Sequence, residues 1–419
     1  MNKRLILAVL VGSLGGFIFG FDLGAVSAAT QSLRAHFSLS PWAFGLTIST
    51  SIWGTVLGAV LSGRFADRWD RRRLIAGCAL LYASAAGSLL LPVPHAWGVV
   101  LVIRLACGIA IGGFTVACPL YLSEIAPIAM RGRVVGAFQV QVGIGVIVAF
   151  SVGAAYSHFL PGGTEWTWIL GVAAIPAAAL VLVARFMPPV APPVLTAGGN
   201  EFDVAPFLVT TATPPQPLFV RANLRVLLIA TSVAVFNQLS GVNVLLLYML
   251  EILGSAGVNL SLGHRYTVLV SGLGLATTVL GMTFVDRWGR KPLLYFGSAG
   301  MALCLLTLAV AIPHHIDPVM YLSILIAYNV FFAFSQGTVV WVYLSELFPP
   351  GLRGPGQGYG STVHWVTNAI LISVFPTVQH ASSVAVFYGF AAMMVVQIAV
   401  IWFWYPETKG AVLGSFEVL

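Results

Sequence analysis

Tyr121 to Gly132 reads YLSEIAPIAMRG, and Tyr343 to Gly354 reads YLSELFPPGLRG. Both fit YLSE-x-x-P-x-x-x-RG and begin 222 residues apart. A second phrase repeats upstream of each copy, Asp67-Arg68-Trp69 in the first half and Asp286-Arg287-Trp288 in the second. The step from phrase to phrase is 54 residues in one half and 57 in the other. The chain is therefore two homologous halves that keep their charged phrases in the same order. Internal repetition in a strongly apolar chain points to a membrane carrier working by motion of one half against the other.

Composition supports the membrane reading. The 419 residues are 58% hydrophobic and 8% charged, where a soluble domain carries about 25% charge. Apolar runs of about 20 residues recur along the chain, as bilayer-spanning helices require. The net charge of +7 is no nucleic-acid signal, because the basic residues sit in short loops between spans. Cys78, Cys107, Cys118 and Cys304 all fall inside apolar runs without metal-ligand spacing and read as small core residues. The first apolar run carries Asp22 and reads as a retained span rather than a cleaved signal.

Twelve spans are expected, near 5–30, 43–66, 74–92, 97–124, 133–158 and 166–187, then 223–251, 265–284, 292–313, 318–346, 356–378 and 384–405. Residues 1–187 form one six-helix bundle, 188–222 a proline-rich cytoplasmic linker, 223–405 a second six-helix bundle, and 406–419 a short cytoplasmic tail. With the N-terminus inside, inner segments hold 17 Lys and Arg against two outside, Arg34 and Arg265, with Arg104 within a span. That asymmetry places both termini in the cytoplasm. Glycine pairs such as Gly15-Gly16 and Gly112-Gly113 read as close helix packing, with helix sliding as the alternative.

These residues resemble a known family. The whole chain is similar to the sugar porters of the major facilitator superfamily, which include proton-linked xylose and hexose symporters and facilitative glucose carriers. Gly15 to Ser27 resembles the family's opening motif, Gly63 to Arg73 and Asp286 to Lys291 its loop motifs, and the doubled YLSE phrase its marks after spans four and ten. Gln238 to Tyr248 resembles the seventh-span motif and PETKG at Pro406 to Gly410 the C-terminal mark. The chain departs from the pattern at Asp70 (usually glycine), at Asn237-Gln238 (usually paired glutamines), at Thr338 (commonly proline) and in a shortened central loop. The resemblance implies an all-α membrane protein of the major facilitator fold, twelve helices in two pseudo-symmetric halves, in a bacterial plasma membrane.

An ionisable group inside a span is a functional hypothesis by default. Asp22 and Arg104 both lie roughly 10–12 Å below the outer surface at 1.5 Å rise per residue, so they can meet. Arginine stays charged while the carboxylate responds to hydration and to arginine's distance, which makes a proton switch; a static buried ion pair is the competing account. The resemblance agrees, since proton-coupled members carry aspartate here and facilitative carriers asparagine. Glu124 and Glu346 end spans four and ten beside loop charges at Arg64, Asp67, Arg68, Arg71, Arg131, Asp286, Arg287, Arg290 and Arg353. They read as a cytoplasmic gate, or as topology signals only.

A sugar needs groups that donate and accept together, plus an aromatic face. Gln139, Asn237, Gln238, Asn243, Trp341, Trp365 and Asn368 supply them, although helix-to-helix hydrogen bonding competes for any single one. His364 stands beside Trp365 and either touches substrate or bonds another helix. Phe19 and Tyr248 are expected to line the cavity, with core packing as the alternative. The remaining histidines, His264 among them, read as solvated residues of outer loops and span ends. No phosphate loop, metal-ligand cluster or nucleophile–base arrangement is present, so neither an enzyme nor a cofactor is expected. The reading is a monosaccharide–proton symporter, working by alternating access as a monomer in the lipid bilayer. A facilitative uniporter, a proton-antiport exporter and a non-transporting sugar receptor are the alternatives.

Overall fold

The structure is a computed structural model that describes residues 3–66, 70–91, 96–126, 131–159, 165–187, 217–255, 257–314, 317–349 and 352–409. Among these residues every regular element is a helix. Lipid leaves a spanning backbone no outside partner, so it must close its hydrogen bonds within each segment. The first half comprises α1 (Lys3–Phe37), α2 (Pro41–Ala66), α3 (Arg71–Ser88), α4 (Trp97–Ile125), α5 (Arg131–Phe159), α6 (Glu165–Gly171) and α7 (Ala174–Ala184). The second comprises α8 (Leu224–Leu239), α9 (Val242–Leu247), α10 (Met249–Ser255), α11 (Leu260–Trp288), α12 (Arg290–Ala311), α13 (Pro318–Phe334), α14 (Gln336–Leu347), α15 (Arg353–Ala381) and α16 (Ser383–Trp404). Helices α6–α7, α8–α10 and α13–α14 each act as one interrupted crossing, which makes twelve crossings in two sets of six.

Ten of the described segments are long and apolar enough to cross a membrane by length and composition. Helices α3 and α15 fall short for a visible reason. Helix α3 opens with Arg71, Arg72 and Arg73, and α15 carries Thr362, His364, Asn368 and Ser373 in its interior. The protein is thus a multi-pass membrane protein whose least apolar interior belongs to one helix of the second half.

Local chemistry sets several boundaries. Asp70, Asn259, Asp317 and Ser382 each accept a hydrogen bond from a backbone N–H in the first turn of α3, α11, α13 and α16, satisfying donors that a helix start otherwise leaves open. Asp70 thus earns its place as a cap where the resembled family has glycine. Gly241 breaks the seventh crossing with φ +86°, a conformation that costs a side-chain-bearing residue energy; a Cβ there would also run into the Phe390 ring. The tenth crossing breaks at Ser335, with φ −113° and ψ −87°. The Ser335 hydroxyl donates to the Phe331 carbonyl and the Thr338 hydroxyl to the Ala333 carbonyl, which reclaims acceptors freed by the break.

Packing within the first half is close. The backbones of α1 and α5 meet at Gly20 and Gly145, where a Cβ would overlap the opposite main chain. The two halves touch through α2 with α15, α5 with α11, and α1 with α9 and α10. Those contacts lie away from the face where α1 begins and α16 ends. On the far face Ser27 donates to the Leu246 carbonyl at 2.8 Å, Gln31 to the Leu250 carbonyl at 3.3 Å, and Ser373 to Ser49 at 2.7 Å. Arg34 forms an ion pair there with Glu251 and lies over the Phe44 ring. One apolar core runs continuously through both halves. A second, including Leu293, Tyr343, Phe348 and Tyr405, lies on the terminal face within the second half alone.

Four expectations change. Helix α1 continues to Phe37 rather than ending near 30, so Arg34 is a helix residue facing another helix. His264 is buried on α11 against Gly153 of α5, not a solvated loop residue, because the second turn of that helix lies in the contact between halves. Tyr248, expected to line a cavity, packs in the core against Phe44 and Phe375 and donates its hydroxyl to the Ile372 carbonyl at 3.0 Å. Spans six, seven and ten are interrupted. Most of the linker, 188–216, and the tail from 410 lie outside the described residues.

Candidate functional site: a buried carboxylate beside an amide and aromatic cluster

Asp22 on α1 and Arg104 on α4 meet as expected, both with under 5% of their surface exposed. Arg104 grips the carboxylate with two bonds, Nη1 to Oδ1 at 2.6 Å and Nη2 to Oδ2 at 3.0 Å. Tyr82 on α3 donates to Oδ1 at 2.8 Å, and Ser51 on α2 donates to Oδ2 at 3.3 Å. Three helices therefore aim donors from three side chains at one carboxylate carried by α1. A bidentate arginine adds directional strength to the pair. Losing one partner of such a buried pair leaves the other charge uncompensated. The sequence marks Asp22 and Arg104 as charges in apolar runs; it offers no comparable mark for Tyr82 or Ser51.

The second cluster is built mainly on the broken crossings. Gln238, near the end of α8, lies with Nε2 2.7 Å from Nε2 of His364 on α15. Its Oε1 accepts from Asn243 on α9 at 3.0 Å. The Trp341 ring lies 4.9 Å from the His364 ring, and Trp365 lies 5.1 Å from it on the other side. Trp365 in turn meets Phe19 of α1 edge-on at 5.6 Å. Asn368, one turn beyond His364, is buried with neither amide atom hydrogen-bonded among the described residues. A buried amide without partners is costly, and its place one turn from His364, which meets both tryptophan rings, marks where a polar ligand would be rewarded. Gln139 sits half-buried on α5, the helix packed against α1.

The first cluster shares a space with the aromatic edge of the second, at Phe19 and Trp365. One narrow cavity is lined by Asp22, Arg104, Ser51 and Thr55 together with Phe19 and Trp365. Phe19 precedes Asp22 by almost one turn of the same helix, so both project to neighbouring positions on α1.

The loop charges pair inside their own halves. Arg71 Nε donates to Glu124 at 3.2 Å. Arg290 donates twice to Glu346, at 3.0 and 2.7 Å. Arg71 and Arg290 hold equivalent places after the two Asp-Arg-Trp phrases, so the repeat builds the same pair twice. The second copy is reinforced by the chain's end. Thr408 donates to Glu346 at 2.5 Å, and the Glu407 carboxylate accepts from the backbone N–H groups of Arg290 and Lys291 at 3.0 and 2.9 Å. Burial alone would raise the Glu407 pKa; backbone donors from Lys409, Arg290, Lys291 and Thr408 hold it below the usual carboxylate value. Asp70 is likewise held low, chiefly by its hydrogen bond with Arg72. Arg287 contributes its carbonyl, which accepts from Lys409 Nζ at 2.6 Å. Asp67 and Arg68, and the side chains of Arg64, Arg131, Asp286 and Arg353, lie outside what the structure describes. No group of three or more His, Cys, Asp or Glu suited to a metal ion occurs among the described residues.

Comparison with known proteins now decides the family. The family model "Sugar (and other) transporter" matches residues 8–190 and 210–419. The chain belongs to that family. The glucose transporter GlcP of Staphylococcus epidermidis is 30% identical over 99% of this chain and 97% of its own. The galactose–proton symporter of Escherichia coli is 28% identical over 99% of this chain and 94% of its own. The crystal structure of a D-xylose–proton symporter superposes with a TM-score of 0.85 at 25% identity, covering 98% of this chain and all of that one. The protein is accordingly a sugar porter of the major facilitator fold, a membrane transporter and not an enzyme.

Proposed function

We propose that the protein imports a monosaccharide, a hexose or a pentose, by proton symport through alternating access, with both termini in the cytoplasm. The observation that carries this reading is the shared cavity, in which the Asp22–Arg104 pair and the Phe19–Trp365 contact line one space. A proton on Asp22 removes the charge that Arg104, Tyr82 and Ser51 hold. The first half is then free to move as one body against the second, carrying Phe19 on α1 against Trp365 of the other half. Sugar occupancy at the Gln238–His364–Asn368 cluster acts on that same contact from the opposite side. Differential stabilisation of two states at one shared element is what coupling requires.

With the termini inside, the contacts joining the halves on the far face close the outer side, and this state faces inward. Glu124 and Glu346 remain the gate residues of the reading; facing inward, they rest on arginines of their own halves. The sugar-binding residues are Gln238, Asn243, Asn237, His364, Trp341, Trp365 and Asn368, with Gln139 and Phe19 from the first half. The relatives named for glucose, galactose and xylose make these the first sugars to try. The test is uptake of labelled D-glucose, D-galactose and D-xylose into proteoliposomes with an acidic exterior. Accumulation above equilibrium, abolished by a protonophore, supports symport. Equilibration without accumulation means facilitative uniport, and no sugar-specific flux at all removes the reading.

The outer closure yields a separate prediction. Arg34 and Glu251 are partly exposed, and such a pair contributes about 0.2–1 kcal/mol. Arg34→Ala should therefore shift the balance toward the outward-open state by about 1.4- to 5-fold. Double electron–electron resonance between spin labels on the far ends of α1 and α10 reads that balance. An unchanged distance distribution would mean that the pair does not contribute to closure.

A further inference from the structure

The amides of the second half form one head-to-tail series. Asn243 donates to Gln238, Gln238 Nε2 approaches Asn237 Oδ1 at 3.4 Å, and Asn237 Nδ2 approaches Gln336 Oε1 at 3.4 Å. Gln336 Nε2 then donates to Gln397 Oε1 at 2.7 Å, and Ser298 donates to the same oxygen at 3.1 Å. The series leaves the aromatic cluster and runs into the bundle through α8, α14 and α16 to α12. Gln336, Gln397 and Ser298 have at most 1% of their surface exposed, and none of them lines the cavity shared with Asp22. Gln336 opens α14 directly after the Ser335 break, and Asn237 and Gln238 stand just before the Gly241 break. The series therefore joins the two breaks. A second tie does the same, since Tyr328 of α13 donates to the Ser240 carbonyl at 2.9 Å.

An amide is nearly symmetric in shape, so sterics alone do not decide which end carries the oxygen. Something must set the polarity of the series. Its inner end does. Gln397 Oε1 accepts from two donors, and the Nε2 of Gln336 also faces the Met394 sulfur at 3.7 Å, which accepts weakly and cannot donate. Reversing Gln336 would set its oxygen against that sulfur. With Gln336 fixed, its oxygen must face Asn237, and each amide outward is fixed in turn.

We propose that Gln336 and Gln397 are positioning residues of the sugar site, which set the donor and acceptor ends that Asn237, Gln238 and Asn243 present to the substrate. The inference rests on the proposed sugar-binding role of those three amides. Its consequence concerns selectivity. Epimeric sugars differ in where a hydroxyl stands, and a site with fixed donor and acceptor ends separates them, whereas reversible amides tolerate both.

The experiment compares D-glucose and D-galactose affinities, by calorimetry on purified protein, in wild type, Gln397→Met and Gln397→Glu. Methionine keeps the length and replaces the carbonyl oxygen with a weakly accepting sulfur. Neutral glutamic acid keeps a carbonyl oxygen for Gln336 and Ser298. The expected result for Gln397→Met is a change of about 5-fold or more in the glucose-to-galactose affinity ratio, the worth of about one hydrogen bond, with Gln397→Glu restoring the wild-type ratio. Gln336→Met, at the next position outward, should reproduce the altered ratio and covers the case in which Gln397→Met fails to fold. A ratio unchanged in the folded methionine variants, even with both affinities lowered together, overturns the proposal, because that is the signature of general loosening. Failure of the glutamate to restore the ratio also overturns it. Wild-type protein that binds neither of these sugars nor D-xylose removes the sugar-site reading itself, and this inference with it.

Discussion

The Asp22→Asn variant is expected to lose uphill sugar accumulation while still exchanging sugar across the membrane. Asparagine keeps the size, and its one oxygen can still accept from Arg104 and Tyr82 as Oδ1 does, but its amide nitrogen only donates and it carries no titratable proton. The driving force at stake is calculable. One pH unit is worth about 1.36 kcal/mol per proton, and 100 mV about 2.3 kcal/mol per charge. Together they sustain roughly a 500-fold gradient of a neutral sugar at one proton per sugar. Wild-type proteoliposomes under those gradients should approach that limit, and the variant should stop at equal concentrations. Counterflow on the same preparation should persist in the variant. Gradient-driven accumulation surviving in Asp22→Asn would reject Asp22 as the proton site.

The second large effect is expected at the amide and aromatic cluster. Gln238 accepts from Asn243 and faces His364, so Gln238→Ala strips a polar partner from the buried His364 and the half-buried Asn243 as well as removing a proposed sugar contact. A lost hydrogen bond in a dry site costs about 1–3 kcal/mol, or roughly 5- to 150-fold in affinity. Trp341→Ala removes the ring that holds His364 from one side and should weaken binding within the same range. Titration calorimetry with the best-transported sugar is the measurement. Both variants binding as wild type does would place the sugar elsewhere.

How far the chain announces these features depends on how conspicuous each residue is in its surroundings. Asp22 and Arg104 stand out because a charge in an apolar run has few explanations. The same logic reaches Asn237, Gln238 and Asn368, and applied more widely it would have reached Gln336 and Gln397. Tyr82 leaves no such trace, since a tyrosine in an apolar span is ordinary. Arg34 reads as a loop residue because hydropathy falls near residue 30, whereas α1 continues to Phe37 on hydrogen bonds and on contacts with the other half. Gly241 is one glycine among 44, and Ser335 carries neither glycine nor proline, so neither helix break is visible beforehand. The partners of Glu124 and Glu346 were ambiguous for a geometric reason. Each carboxylate has arginines on both sides of the repeat within the same stretch of loops, and only the fold selects the one in its own half.

The glycine contact between α1 and α5 bears on how the proposed proton site would change its exposure. With main chain against main chain at Gly20 and Gly145, α1 has no side-chain cushion on which to slide, and Asp22 is only two residues from that weld. The carboxylate is a fixed post in the first half, and a fixed post cannot ferry a proton by travelling. In the proposed symport its surroundings must do the work, and Trp365 of the second half, which lines the same cavity, is the group placed to act as a shutter that covers or uncovers it. Proton access then becomes a matter of shielding, and the distance the carboxylate itself moves drops out of the mechanism.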